Sequence, residues 1–248
     1  MSAAVTALVL TSVFATSVLS GVLGMAGGMI LMAVMLAVLS VPATMVLHGA
    51  VQGVANGSRA WFLREHIAWS VLPYYCVGAA LAILAFALLS LRPSAPWVLI
   101  VLGVVPWIAL VVRPLSRLDI TQPFTAIVCG VLVTGAQLFA GVSGPLLDLF
   151  YLNANLERHG VVATKAITQA VGHALKLGYW GSLLALTDWP PVWLLLIAPV
   201  AAIAGTRVGT RLLDRLSQTH FQQATRLIVL TIGALCVVRG VSSLLTPA

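Results

Sequence analysis

Apolar runs long enough to cross a lipid bilayer recur from one end of the chain to the other, each closed by glycine, proline or charge. The breaks between them predict helices over residues 3–23, 44–63, 68–91, 95–112, 121–140, 161–180, 191–204 and 224–245. Two pieces are too short to span alone: 29–41, which follows GMAGG, and 146–156, which follows GVSGP. Each begins at a glycine-rich break.

Within the second of the long runs the polar positions have their own period. HGAVQGVANGSR places His48, Gln52, Asn56 and Arg59 four, four and three residues apart, which on an α-helix lays them along one face. Shifting the sequence so that Gly24 meets Gly141, a step of 117, also brings Gly27 onto Gly144, Gln52 onto Gln169 and Pro73 onto Pro190. The same step sets His48 on Lys165, Asn56 on His173 and Arg59 on Lys176. The second half therefore carries a polar stripe with the same spacing. The chain reads as two repeats, about 1–117 and about 118–248, within a single transmembrane unit covering 1–248.

Composition fixes the solvent. The 248 residues are 60% hydrophobic and 8% charged, with a mean hydropathy of +1.07, so most of the surface is expected to meet lipid. The fold class is all-α, a polytopic membrane protein, and no polar stretch is long enough for a separate soluble domain. The first run has no Lys or Arg before it and no clear small-residue cleavage site, so it is expected to be retained as a span. A net charge of +7 suggests nucleic acid in a soluble protein. Here the basic residues fall between apolar segments, where they set topology, and no nucleic-acid partner is expected. Cys76, Cys129 and Cys236 sit singly in apolar runs and read as small core residues without a redox or metal role.

Charge placement bears on how the repeats are related. With the short pieces counted, each half has five membrane-entering segments, and Arg59/Arg64, Arg113/Arg117 and Arg207/Arg211/Arg215 share one side. The positive-inside rule makes that side cytoplasmic. An odd number of segments makes the repeats inverted and puts the amino terminus in the periplasm.

Inverted repeats with interrupted helices place substrates near the bilayer midplane, where free N–H groups at a half-helix start face an anion. Gly27 and Gly28 in the first break, and Ser143 and Gly144 in the second, are the candidates, with Pro145 suited to a first helical turn. The stripes add His48, Gln52, Asn56 and Arg59 from one repeat and Lys165, Gln169, His173 and Lys176 from the other. Gln137 precedes the second break and is a further donor, although its counterpart, Ser20, has only a hydroxyl. A cation at the bilayer centre costs about 2.5–3.5 kcal/mol on insertion scales, so this many donors call for a hydrated cavity or a counter-ion. Of six acids, five fall near predicted segment ends, and only Asp148 lies inside an apolar piece. An external anion is the expected ligand, with no cofactor and no metal.

Other readings of the same residues stay open. Arg59, Lys176, His48 and Lys165 lie toward helix ends, where long polar side chains snorkel to the interface. Gln52 and Gln169 suit interhelical hydrogen bonding. Asp148 suits a proton or cation site, or a pair with Lys165 or Lys176. His48 or His173 leaves room for proton coupling.

A first span running into GVLGMAGG, a short apolar piece and then a helix opening PAT, repeated as AGVSGP and VVATKAITQ, resembles the TauE/SafE family of sulfite exporters, within the toluene sulfonate uptake permease-like transporters. The resemblance runs through both repeats and maps the family's glycine breaks onto Gly24, Gly27, Gly28, Gly141 and Gly144. It implies transport of sulfite, or of an organosulfonate such as sulfoacetate, across a bacterial inner membrane. The polar stripes come from spacing and not from the family. Export gains about 2.3 kcal/mol per charge for each 100 mV when the cell interior is negative, so no coupling ion is required. Import, or a channel for another small anion, is the alternative. An enzyme is disfavoured by the lack of paired carboxylates, HExxH or a Ser/His/Asp grouping. A structural subunit would not need two matched donor stripes. A homodimer is compatible with the sequence, although no lipid-facing motif specifies one.

Overall fold

The computed structural model describes residues 2–23, 26–112, 118–185, 188–213 and 218–245. It contains ten α-helices among those residues: α1 Ala3–Leu23, α2 Ala26–Val38, α3 Val41–Phe62, α4 Leu72–Leu88, α5 Ala95–Val112, α6 Pro123–Ala140, α7 Gly144–Leu149, α8 Arg158–Ser182, α9 Val192–Leu213 and α10 Gln218–Leu245. A 3-10 turn, Arg64–His66, follows α3. There are no strands among the described residues, and five helices (α1, α5, α6, α9 and α10) are long and apolar enough to cross a membrane. The protein is a polytopic membrane protein. Gly24, Arg113, Arg117 and Arg215, all singled out above, lie outside the described residues.

Local chemistry explains where the elements start and stop. Ser40 caps α3 by accepting from the Ala43 N–H, and Pro42 occupies the first turn. Val41 therefore opens α3 instead of closing the short piece before it. That piece, α2, runs from Ala26 to Val38, about 20 Å at 1.5 Å per residue, too little for a hydrocarbon core of about 30 Å. The second short piece also begins earlier than expected and ends sooner, because Pro145 sits in the first turn of α7 and the chain turns at Phe150, whose carbonyl accepts from Ile120 N–H. α6 ends on Gly141, held at φ +77°, with its N–H returned to the Gln137 carbonyl. α9 continues beyond residue 204 through Arg207 and Arg211 to Leu213, and α10 starts at Gln218 instead of 224.

Four helix pairs make up most of the packing: α1 on α9, α4 on α6, α3 on α8 and α5 on α10. Exchanging α1–α5 for α6–α10 turns the first pair into the second and leaves the other two unchanged. The corresponding helices α3 and α8 run antiparallel, since Gly49 lies by Leu177 and Lys176 while Ala60 and Ile67 cluster with Ala163 and Ala166. α5 and α10 also run antiparallel, with Gly103 against Gly233 and Val237, and Gly240 against Pro96 and Ile100. Large apolar side chains such as Trp61, Leu84, Leu196, Val200 and Val238 point outward, where lipid is their solvent.

Small residues set the closest crossings, as membrane packing requires. A Cβ on Gly130 would strike the Tyr75 carbonyl and lie 2.9 Å from Ala79 N, whereas one on Gly135 meets nothing within 4 Å. Gly130→Val is expected to destabilise the fold by about 1–3 kcal/mol through overpacking, while Gly135→Ala leaves the midpoint unchanged or raises it. Thermal unfolding in detergent compares the two.

Candidate functional site

α3 and α8 bring polar groups into the middle of this apolar bundle. At their crossing a Cβ on Gly53 would lie 3.7 Å from His173 Cβ, and one on Gly49 would lie 3.4 Å from the His173 carbonyl. The close approach lets side chains flanking the crossing meet. His48 and His173 have ring centroids 5.7 Å apart, and both are buried.

Beside this crossing is a cavity of about 30 Å3, space for roughly two water-sized groups. It is lined by Gly28, His48, Gln52, Asn56 and Arg59 from the first half and by Gly144, Gln169 and His173 from the second. Eight sequence-selected residues from two stretches more than 80 positions apart thus share one wall. Gln52 is close to Gly28, where an added Cβ would sit 3.4 Å from Nε2. No acidic residue lines the cavity among the described residues.

The other five selected residues lie outside the lining. Gly27 packs against α1, where a Cβ would meet the Thr16 carbonyl and Ser20 Oγ. Gln137 lies against Gly172, and neither its Oε1 nor its Nε2 has a hydrogen-bond partner in the protein. Ser143 Oγ and His173 Nδ1 are likewise buried without a protein partner. Lys165 pairs with Asp148, which resolves the choice of partner for that carboxylate. Lys165 and Asp148 have side chains 22% and 49% exposed, so their pair sits in a wetter place than the crossing.

Lys176 is fully buried, behind His48. Its Nζ donates to the Gly141 carbonyl at 2.9 Å and meets His48 Nδ1 at 2.8 Å. His48 Nε2 lies 2.9 Å from the Gly28 carbonyl. A carbonyl can only accept, so Nε2 carries the proton and Nδ1 receives the lysine's. One hydrogen-bonded chain thus runs from the carbonyl of Gly28, in the first break, to that of Gly141, in the second.

Ser17 and Ser20 of α1 and Thr206 of α9 complete the polar lining. The 117-residue step pairs Ser17 with Thr134 and Ser20 with Gln137, so the repeat holds a signal for both serines. Thr206 falls opposite Leu89 and carries none. Among the described residues no group of three or more His, Cys, Asp or Glu is placed to hold a metal.

The family model for the sulfite exporter TauE/SafE matches residues 8–236, a span that includes both glycine breaks and both polar stripes. The chain belongs to the TauE/SafE family. That family consists of transporters and not enzymes, and its members act on a sulfur anion at the membrane. No curated protein and no solved structure matches the chain. The TauE/SafE match covers the donor-rich cavity, but it does not by itself say which side chains touch the anion.

His48 and Lys176 should act as one unit in stability. His48→Ala leaves a buried Lys176 N–H unpaired, at about 1–3 kcal/mol, and removes the second hydrogen bond to the Gly28 carbonyl. Lys176→Met removes the shared donor. The double variant is expected to lose less than the two single losses added together, by about 0.5–3 kcal/mol. A double-mutant cycle on unfolding in detergent measures the difference, and strict additivity would dissolve the chain as a unit.

Proposed function

We propose that the chain is a single transporter unit that moves a compact sulfur oxyanion, sulfite in preference to a bulky organosulfonate, across a bacterial inner membrane by alternating access around the cavity between α3 and α8. The observation that carries this reading is the cavity wall itself. It combines amide, imidazole, guanidinium and hydroxyl groups from both halves, faces no carboxylate among the described residues, and lies beside both glycine breaks. Buried polar atoms of Gln137, Ser143 and His173 that lack protein partners lie around or next to the same space and suit a ligand rich in acceptors. The small volume favours an ion of a few atoms.

Inverted repeats fit the packing. Helix pairs that exchange or map onto themselves, with the corresponding helices α3 and α8 antiparallel, are what a pseudo-twofold axis in the membrane plane produces. On this reading the amino terminus is periplasmic and the arginine-rich face cytoplasmic.

The two halves also differ in a way that suits alternating access. Near the carboxyl end of α8, Tyr179 OH bridges the Phe86 and Leu91 carbonyls at 3.1 and 2.7 Å, and Trp180 Nε1 donates to the Leu138 carbonyl at 2.9 Å. The gap between α8 and α4 is filled. At the equivalent gap, between α3 and α9, Phe62 and Ile203 are the counterparts of Tyr179 and Phe86 and line an open recess. A conformation that exchanged these two arrangements would expose the cavity to the opposite side.

Binding to the folded state raises stability by about 2.7 kcal/mol at a ligand concentration one hundred times the dissociation constant. Sulfite is therefore expected to raise the unfolding temperature of the purified protein, sulfoacetate and taurine less so. The shift should vanish in Gln52→Ala/Gln169→Ala, and sulfite efflux from proteoliposomes should fall at least tenfold in that variant. A double variant that binds and transports sulfite normally would overturn the assignment of the cavity.

A further inference from the structure

The open recess between α3 and α9 has a chemical character of its own. It encloses about 460 Å3 and is lined by Arg59, Arg207 and Arg211 together with Ser58, Phe62 and Ile203 among others. Ala55, Arg59 and Thr206 line both this recess and the small cavity, so the two spaces adjoin. Arg207 and Arg211 lie one turn apart on α9 and face the same concavity as Arg59 from α3. No carboxylate lines the recess among the described residues. An interfacial arginine that serves only topology needs no such convergence.

The repeat supplies a comparison within the molecule. The counterparts of Arg207 and Arg211, 117 positions earlier, are Ser90 and Ser94. The corresponding place in the other half therefore has one guanidinium, that of Arg92 beside Tyr179, where α9 supplies two, and its gap is closed by Tyr179 and Trp180.

We infer that Arg207 and Arg211 form, with Arg59, an entry site that collects a small free anion on one side of the membrane and passes it to the central cavity. The inference rests on the proposed transport of a sulfur oxyanion only for the identity of that anion. A concave site lined by one sign of charge, with low-dielectric walls, focuses its field and raises the local concentration of the opposite ion. The aliphatic stems of the arginines and the side chains of Phe62 and Ile203 supply the low-dielectric wall. Oxyanions suit the guanidinium fork because two parallel N–H groups match two oxygens. A phospholipid headgroup offers the same chemistry, and the test separates the two sources.

Ser58, half-buried in the recess, reports on its potential once it is changed to cysteine. The variant Ser58→Cys is made with Cys76→Ser, since Cys76 is the exposed native thiol and Cys129 and Cys236 are buried. In nanodiscs of neutral phosphatidylcholine, its rates of reaction with an anionic methanethiosulfonate (sulfonatoethyl) and a cationic one (trimethylammonioethyl) are measured. Their ratio is divided by the ratio for a simple thiol in solution.

The expected result is a preference for the anionic reagent of about tenfold, reduced by salt and lost in Arg207→Gln/Arg211→Gln. Arg64→Gln/Arg158→Gln removes two exposed charges from the same end of the bundle, where the His66 and His159 rings lie 5.1 Å apart, and should leave the preference intact. No preference in the parent, or one indifferent to Arg207 and Arg211, would overturn the entry site. A preference present in phosphatidylcholine but abolished by adding phosphatidylglycerol would assign the recess to a lipid headgroup instead. Because the measurement needs no transport, a preference seen in a protein that fails to move sulfite keeps the entry site and removes the sulfite reading.

Discussion

Polar groups at membrane depth must find partners inside the protein, because hydrocarbon offers none. The backbone meets this requirement within the helices, whereas the first turn and the last turn of any helix leave N–H groups and carbonyls that need other partners. The Gly141 carbonyl, just past the end of α6, is partnered by Lys176, which also holds His48, whose other ring nitrogen reaches the Gly28 carbonyl in the first turn of α2. α3 and α8 thus deliver an imidazole and an amine to the two glycine-rich breaks, and the amine partners a carbonyl left over at the end of α6. The cavity lies beside the starts of α2 and α7, with Gly28 and Gly144 in its wall. A neutral lining would serve a structural break. A lining of amides, hydroxyls, imidazoles and a guanidinium suits a ligand with many acceptors and negative charge.

Much of this arrangement was legible from spacing. A polar residue every third or fourth position within an apolar run has to lie on one helix face, and the same face found again 117 residues later implied that the two would meet. His48, Gln52, Asn56 and Arg59 do share a cavity with Gln169 and His173. Helix existence followed from the same logic, since ten elements in the expected order require only that apolar runs fold in lipid. Boundaries were harder, because Ser40 and Pro145 reassign a few residues through capping and first-turn geometry that hydropathy does not register.

Periodicity could not say how deep each stripe residue would sit. Lys165 and Lys176 occupy equivalent faces three turns apart, yet one pairs with Asp148 in a partly exposed site and the other is wholly buried. The difference comes from what the neighbouring segment offers. α7 carries an acid toward Lys165, whereas the end of α6 presents the Gly141 carbonyl to Lys176. Thr206 was invisible for the same reason, being one hydroxyl in an apolar helix with no counterpart under the repeat. Tertiary partners decide such cases, and a single helix's pattern does not contain them.

The asymmetry between the halves limits what the entry site can accomplish. A cluster of positive charge on one side changes how readily an anion loads from that side, but it cannot shift the equilibrium distribution across the membrane, which concentration and potential set. With a negative interior, each charge carried outward gains about 2.3 kcal/mol per 100 mV whatever the protein looks like. On the proposed reading Arg207 and Arg211 would contribute to rate at low substrate concentration, and the other half, with Arg92 alone beside its closed gap, would capture the anion less readily. If the arginine face is cytoplasmic, the charge pattern and the potential favour movement in the same direction. An importer of the same anion would gain from the reverse pattern, with the heavier cluster of arginines beside Arg92 instead of on α9.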